Sequence, residues 1–436
     1  MLKQYLKQAW QLIRQNKLFS AIYVAGTALG ISMVMVLMLV LSFKTISVYP
    51  EQDNGRILFV KSAVMRPKTD KIGFWSSSIS YEGLEKLFFS LETPEAVASE
   101  KYWSGSAYVS MPDGKSRVKI TERSVDAAYW KVFNFTFIHG KPFTEADFQS
   151  GIHSVVITES LARKLFGTHE ATGKTIEYNF DEYRIAGVVK DVSVVMSRTY
   201  TQLWRPYSCS EDYRKDSGHP SGLLGGYQVY ILARSKKDFP AIKAEVNNRI
   251  RRYNSEFEDY EMDLLGQPDD VSTTSQRLSS NQPVNKTKTT LVYLGIIILL
   301  MLVPAVNLSG MNSSRMEKRL SEMGVRKAFG AARSRLLNQV LVENLLLTGL
   351  GGLAGLMLSY VIILLSRNWI LDIGNRFASG MPQGVSVDFS ISMLFNIKIF
   401  MIVLSVCFIM NILSAFIPVF RSLRKSITDS LHIKYN

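Results

Sequence analysis

Four long stretches of this chain carry almost no charge, and such stretches have few ways to fold. Leu18 to Phe43 runs 26 residues without a charged side chain, more than the roughly 20 a helix needs to cross the hydrocarbon core of a bilayer. Leu291 to Gly310 is a second such run. Leu336 to Ser366 is a third, interrupted by Glu343, and Phe395 to Phe420 is a fourth, with Lys398 close to one end. A lysine there can snorkel its ammonium to the interface. The first run is longer than the apolar part of a signal peptide, and no small-residue cleavage site follows it. The expected fold class is therefore a membrane α-helical protein with four transmembrane helices.

Lys and Arg near the helix ends set the orientation. Residues 1–17 hold Lys3, Lys7, Arg14 and Lys17 with no acid, and 311–336 hold seven basic residues against Glu317 and Glu322. Residues 421–436 hold four against Asp429. These segments contribute +4, +5 and +3, twelve of the formal net charge of +14. The long segment 44–288 is nearly balanced, with 33 basic and 31 acidic residues. Both termini and the 311–335 loop are thus expected in the cytoplasm and the large segment outside. The basic balance is topological, and nucleic acid is not an expected partner. Cys209 lies in the outer segment and Cys407 inside the fourth run, so the two are not expected to pair.

The layout that follows is a cytoplasmic amphipathic helix over 1–17, transmembrane helices over 18–43, 289–310, 336–366 and 395–420, a large outer domain over 44–288, a cytoplasmic loop over 311–335, a short outer loop over 367–394 and a cytoplasmic tail over 421–436. Leu2, Tyr5, Leu6, Ala9, Trp10, Leu12 and Ile13 share one face of the first helix, which suits it to the inner headgroups; the alternative is a simple continuation of the first membrane helix. The outer segment mixes strand and helix signals, so it is expected to be an α+β domain inserted between the first and second membrane helices. "YVSMPDGKSRVKI" reads as a hairpin turned by Pro-Asp-Gly, and "SVVITESLARKLFG" as a strand followed by a helix stopped at Gly167. "DFPAIKAEVNNRIRRYN" reads as a helix with Pro240 in its first turn, and the polar stretch 267–290 as the connection back to the membrane. Pro304 predicts a kink in the second membrane helix. Gly351 and Gly355 form a GxxxG that allows close helix approach, within one subunit or at a dimer seam.

Catalytic patterns are not recognisable. "GTHEATGKT" has five residues between its glycines where a P-loop has four, and it follows a helix and enters a strand, the reverse of a P-loop's order. Histidines 139, 153, 169, 219 and 432 are scattered along the sequence without metal-ligand spacing. No cofactor, metal or enzymatic activity is expected. What stands out is the inner loop, "SRMEKRLSEMGVRKAFGAARSRLLNQ", where Gly324 and Gly330 punctuate a charged helix and Arg326 and Lys327 project between them. A short, stiff, charged element between two membrane helices suits docking to a partner that supplies motion; the plain alternative is that its charges serve only to set topology.

With those residues in view, "RLSEMGVRKAFGAARSRLLNQVLVENLLLTGLGGLAG" resembles the cytoplasmic loop and third helix of the MacB/FtsX superfamily of ABC transporter permeases. Arg319, Glu322, Gly324, Arg326, Lys327, Gly330, Gln339 and Glu343 fit its pattern. "DAAYWKVFNFTFIHGKPFTEADF", "SVVITESLARKLFG", "GKTIEY" and "YRIAGVVKDV" are similar to pieces of the MacB-type periplasmic core domain. The segment 195–225 matches no part of the pattern.

The resemblance implies a non-catalytic permease subunit of a bacterial inner membrane. Since MacB carries an ATPase domain not recognisable in these 436 residues, a separate ABC ATPase subunit is the expected partner. Membrane lipid and a homodimer or a paired related permease are also implied, and a periplasmic adaptor or an outer-membrane channel is compatible. On this reading Arg319, Glu322, Gly324, Arg326, Lys327, Gly330 and Glu343 couple the chain to the ATPase, and Gly351, Gly355 and Pro304 shape helix packing. The implied function is export of amphipathic cargo such as peptides, antibiotics or lipid-linked molecules. The alternatives are release of lipoproteins from the membrane and FtsX-like regulation of a periplasmic cell-wall hydrolase.

Overall fold

The computed structural model describes residues 7, 10, 11, 13–15, 17–69, 73–102, 106–114, 117–215, 217–277, 279, 281–318, 325, 329, 333–366 and 397–424. They belong to two compact units, one of long helices and one made mainly of residues 43–286. Residues 1–6, 8, 9, 12 and 16 of the expected helix along the inner headgroups, the inner loop over 319–332 apart from positions 325 and 329, and the loop over 367–394 lie outside the described residues.

Helix α1 (Lys17–Phe43) leads into the outer unit. There β1 (Ile57–Val60), β2 (Ala63–Pro67) and β3 (Trp75–Ile79) precede α2 (Tyr81–Leu87), and β4 (Ala96–Lys101), β5 (Ser106–Ser110) and β6 (Arg117–Val125) precede α3 (Tyr129–Val132). Next come β7 (Phe137–Gly140), α4 (Glu145–Gln149), β8 (Ser154–Thr158), α5 (Glu159–Phe166), β9 (Thr175–Tyr178), β10 (Asp181–Val189) and β11 (Leu203–Pro206). The unit finishes with β12 (Leu224–Gly225), β13 (Tyr227–Leu232), α6 (Phe239–Glu256), β14 (Tyr260–Asp263), β15 (Asp269–Asp270) and α7 (Val271–Gln276).

Local signals account for much of this. Thr158 caps α5 by accepting from Leu161 N–H, and Gly167 ends it in the left-handed region at φ 70°, a conformation glycine adopts without the Cβ penalty. The expected hairpin is present as β5 and β6, with Ser110 opposite Arg117. Pro240 stands in the first turn of α6, whose buried Phe239, Ile242, Val246, Ile250 and Tyr253 recur every three or four residues. That stripe packs on Leu58, Val60, Val229 and Ile231 of β1 and β13. Each fully buried large apolar side chain contributes about 1.5–3 kcal/mol.

A second core is wrapped by strands. Following the pairings, β6, β5, β9, β10, β8 and β11 form a closed ring, because β11 also pairs in parallel with β6 at Leu203 and Glu122. Val109, Ile120, Val155, Ile157, Ile185 and Leu203 pack with Leu161 and Leu165 of α5. The segment 195–225 supplies β11, the ring's closing strand, and buries Met196, Leu203, Trp204, Tyr207 and Leu223.

The stretch 267–290, expected as the connection back to the membrane, carries folded structure of its own. It holds β15 and α7 before the last helical region begins at Lys286, and Gln267, Asp269, Thr273 and Thr274 are buried. Its polar side chains are paired within the fold: Gln267 Nε2 donates to Ser62 O at 2.7 Å, and Asp270 caps α7 by accepting from Thr273 N–H at 2.7 Å.

The helical unit resumes with α8 (Lys286–Lys318), which runs unbroken through Pro304, then α9 (Arg333–Leu365) and α10 (Ile397–Arg424). Among the described residues, Lys17–Phe43 and Leu341–Leu365 are long and apolar enough to cross a membrane, and Ile397–Met410 is a shorter apolar stretch.

Candidate functional site

The outer unit takes in residues 43–286, and the first and last parts of that stretch are each held within the unit by a buried ion pair. On the entry side, Arg198 donates one guanidinium N–H to Glu51 Oε2 at 3.1 Å and another to Lys44 O at 3.1 Å. Thr199 Oγ1 donates to the other Glu51 oxygen at 3.1 Å, and Asn54 Nδ2 ties Glu51 to Ile46 O, at 3.1 and 2.9 Å. On the exit side, Arg277 donates to Asp269 Oδ2 at 2.7 Å, to Gln282 O at 2.8 Å and to Leu265 O at 3.1 Å. The side chains of Arg277 and Asp269 are only 2% and 3% exposed.

Both grips meet on β1. Asp269 stands opposite Phe59 in the β1–β15 pairing, and the Arg198 guanidinium lies 4.6 Å from the centre of the Phe59 ring. Lys61, just past β1, records the same convergence. Its N–H donates to Gln267 Oε1 at 2.7 Å and its Nζ to Thr274 O at 3.3 Å. Burial first, then the neighbouring Arg198, Arg277 and Lys44, push its pKa down to about 8 against the pull of Asp269. One short strand thus anchors both ends of the outer domain. Removing one member of a buried ion pair leaves an uncompensated charge, a loss of about 3–5 kcal/mol.

Behind β1 lies a further polar core. Arg123 pairs with Glu100, which also accepts from Tyr230 Oη at 2.8 Å. Asp126 accepts from Ser99 N–H and Oγ at 2.6 and 2.7 Å and from Tyr129 N–H at 2.9 Å, while burial raises its pKa to about 7. None of these residues is signalled in the sequence, because Glu51 and Arg198 are separated by 147 positions.

The sequence-derived coupling residues Arg319, Glu322, Gly324, Arg326, Lys327 and Gly330 lie outside the described residues. Glu343, on α9, is 2% exposed. Gly351 and Gly355 face α1: a Cβ on Gly351 would meet Thr27 Cβ at 2.7 Å, and one on Gly355 would meet Ala28 O at 2.8 Å. The GxxxG is therefore engaged within this chain. Two of the scattered histidines come together in the fold, since the rings of His139 and His169 stack with centroids 5.1 Å apart.

Comparison with known proteins gives this arrangement a context. Residues 20–249 match the MacB-like periplasmic core domain, and residues 294–427 match the FtsX-like permease C-terminal domain. The pyoverdine export ATP-binding/permease protein PvdT of Pseudomonas savastanoi pv. phaseolicola is 22% identical over 396 residues, 88% of this chain and 56% of that protein. The uncharacterized ABC transporter permease YknZ of Bacillus subtilis is 22% identical over 240 residues, 55% of this chain and 56% of that one. The macrolide export ATP-binding/permease protein MacB of Neisseria gonorrhoeae is 23% identical over 294 residues, 65% of this chain and 42% of that one. The chain thus spans about half the length of the curated relatives it matches. Among solved structures, the periplasmic region of MacB from Actinobacillus actinomycetemcomitans is similar at 17% identity and TM-score 0.34, covering 50% of this chain and 92% of that one.

Proposed function

The chain belongs to the MacB/FtsX-type family of ABC transporter permeases, and from that premise we propose that it turns ATP-driven closure of a separate cytoplasmic ATPase into movement of its outer domain. The cargo class that fits is amphipathic: peptides, antibiotics or lipid-linked molecules. Relatives named as exporters of pyoverdine and of macrolides support that class.

The observation that carries the reading is the double anchorage at β1. A hinge at either root would let the helices move without the domain. Here Arg198 holds Lys44, the residue after α1, and Arg277 holds Gln282, four residues before α8. Displacement of either helix end is delivered to a strand paired on both sides, to β13 and β15. The chain itself performs no chemistry in this scheme.

At the other end of the helices, Arg319, Glu322, Gly324, Arg326, Lys327 and Gly330 receive the motion. The glycines set the bends of the loop, and Arg326 and Lys327 pair with acidic groups on the ATPase or with lipid phosphates, each contributing about 1–3 kcal/mol where desolvated. Four helices span the inner membrane, both termini and the 311–335 loop are cytoplasmic, and two permease chains assemble, each with its own ATPase. The test is co-purification from the native host in mild detergent. The wild-type chain is expected to retain an ATPase, and the Arg326→Glu, Lys327→Glu double variant to lose it at equal expression. Capture of no ATPase by either chain overturns the reading.

A further inference from the structure

We propose that His139, His169 and Glu170 form a binding site for a divalent transition cation of the zinc class on the outer domain. This site is separate from the transmission route described above. His139 lies on β7, and His169 and Glu170 lie in the turn between α5 and β9, so the sequence separates them by 30 positions. The fold brings one ligand atom of each within 4.8 Å of the others, and among the described residues this is the grouping of three metal-ligating side chains. The two imidazole rings stack with an interplanar angle of 19°. Two imidazoles and a carboxylate are a borderline donor set that suits zinc or copper over calcium or magnesium.

The segments that carry the ligands are held on both sides. Ala171, next to Glu170, is fully buried in the ring's core, and its N–H donates to His169 O at 3.0 Å. Gly173 N–H donates to Ile185 O at 2.8 Å and Lys141 N–H to Ala186 O at 3.2 Å, so β10 ties both segments to one strand. Gly140, beside His139, has φ 70°, and a Cβ there would stand 2.3 Å from Ala186 O and 2.9 Å from Thr172 Cγ2. That absence of a side chain is what lets β7 come so close to the turn. A tetrahedral ion with ligands at about 2.0–2.2 Å needs donor atoms about 3.3 Å apart. Side-chain rotation of the half-exposed histidines and the exposed Glu170 covers the difference while the backbone stays in place. Three protein ligands leave a fourth position for water or for a donor from another molecule.

The experiment titrates the detergent-solubilised full chain, first stripped with chelator, with zinc chloride against a competing zinc-sensitive dye. The wild type is expected to bind one equivalent. His139→Ala, His169→Gln and Glu170→Gln are each expected to weaken binding about tenfold or more. His153→Ala is the control, since His153 stacks on Tyr183 and is not a member of the cluster, and it should bind as the wild type does. Glu170 is exposed, so its variant tests the site even where a histidine variant misfolds. Absence of stoichiometric binding by the wild type overturns the proposal, as does wild-type affinity in the folded Glu170→Gln chain.

Discussion

Arg198 reaches across the outer domain to hold both the Glu51 carboxylate and the carbonyl of Lys44, each at 3.1 Å. The side chain of Glu51 is 3% exposed and that of Arg198 14%, so the pair has little water to fall back on. Arg198→Met is expected to destabilise the outer domain by about 3–5 kcal/mol, because Glu51 is left buried without its partner. Thermal unfolding of the full chain in detergent measures this. Arg252→Met serves as the reference, since its pair with Glu256 is exposed at 82% and 63%, and surface pairs of that kind contribute little. Equal melting temperatures for the two variants would remove the entry-side anchor from the account.

The exit-side pair makes a sharper demand. Arg277 serves Asp269, Gln282 and Leu265 at once. Asp269→Asn keeps the shape and one acceptor while removing the charge, and should destabilise less than Arg277→Met, which strands all three acceptors. In a reconstituted transporter, the milder variant is expected to keep ATP hydrolysis while losing export. Parallel assays of the two activities check it; export at the wild-type rate would detach this pair from transmission.

Helix packing gives a third expectation. Gly355→Ala places a methyl 2.8 Å from the backbone carbonyl of Ala28, where no side-chain rotation relieves the contact. The helices must separate, at a loss of about 1–3 kcal/mol. Gly349→Ala, two residues before Gly351 and with nothing within 4 Å of the added carbon, should be neutral or slightly stabilising through helix propensity. Comparison of the melting curves of the two alanine variants decides the point.

Asp126 sets a pH dependence. Its carboxyl, raised to about 7 by burial, binds more protons folded than unfolded between about pH 4 and 7. Its contribution is therefore fully present below about pH 4 and is lost as the pH rises through 7. The wild type is expected to lose about 1–3 kcal/mol between pH 5 and 8 relative to Asp126→Asn. Melting curves of both chains at the two pH values test the sign; a difference that grows in the wild type's favour toward pH 8 contradicts it.

The sequence made visible what depends on neighbours along the chain. The Thr158 cap and the Gly167 stop delimit α5, the Pro-Asp-Gly turn delimits β5 and β6, and the apolar stripe of α6 repeats at helical spacing. What it did not show depends on residues far apart. The parallel pairing of β11 with β6 joins Leu203 to Glu122 and has no local signature. In the polar stretch after Gln267, polarity alone does not tell a solvated Asp269 from one paired inside with Arg277. The same separation hid Glu51 from Arg198 and His139 from His169. The inner loop is the opposite case: Glu322, Gly324, Arg326, Lys327 and Gly330 are legible as a motif in sequence alone.

The central claim is that ATP hydrolysis inside moves the domain outside through both roots. Hydrogen–deuterium exchange on the co-purified permease–ATPase complex, with and without MgATP and vanadate, tests it most directly. The account predicts that trapping the nucleotide changes amide protection in two places at once, residues 44–56 and residues 264–286, with the β1 amides between them responding together. An ATPase that turns over and traps vanadate while both segments exchange as they do without nucleotide would contradict it.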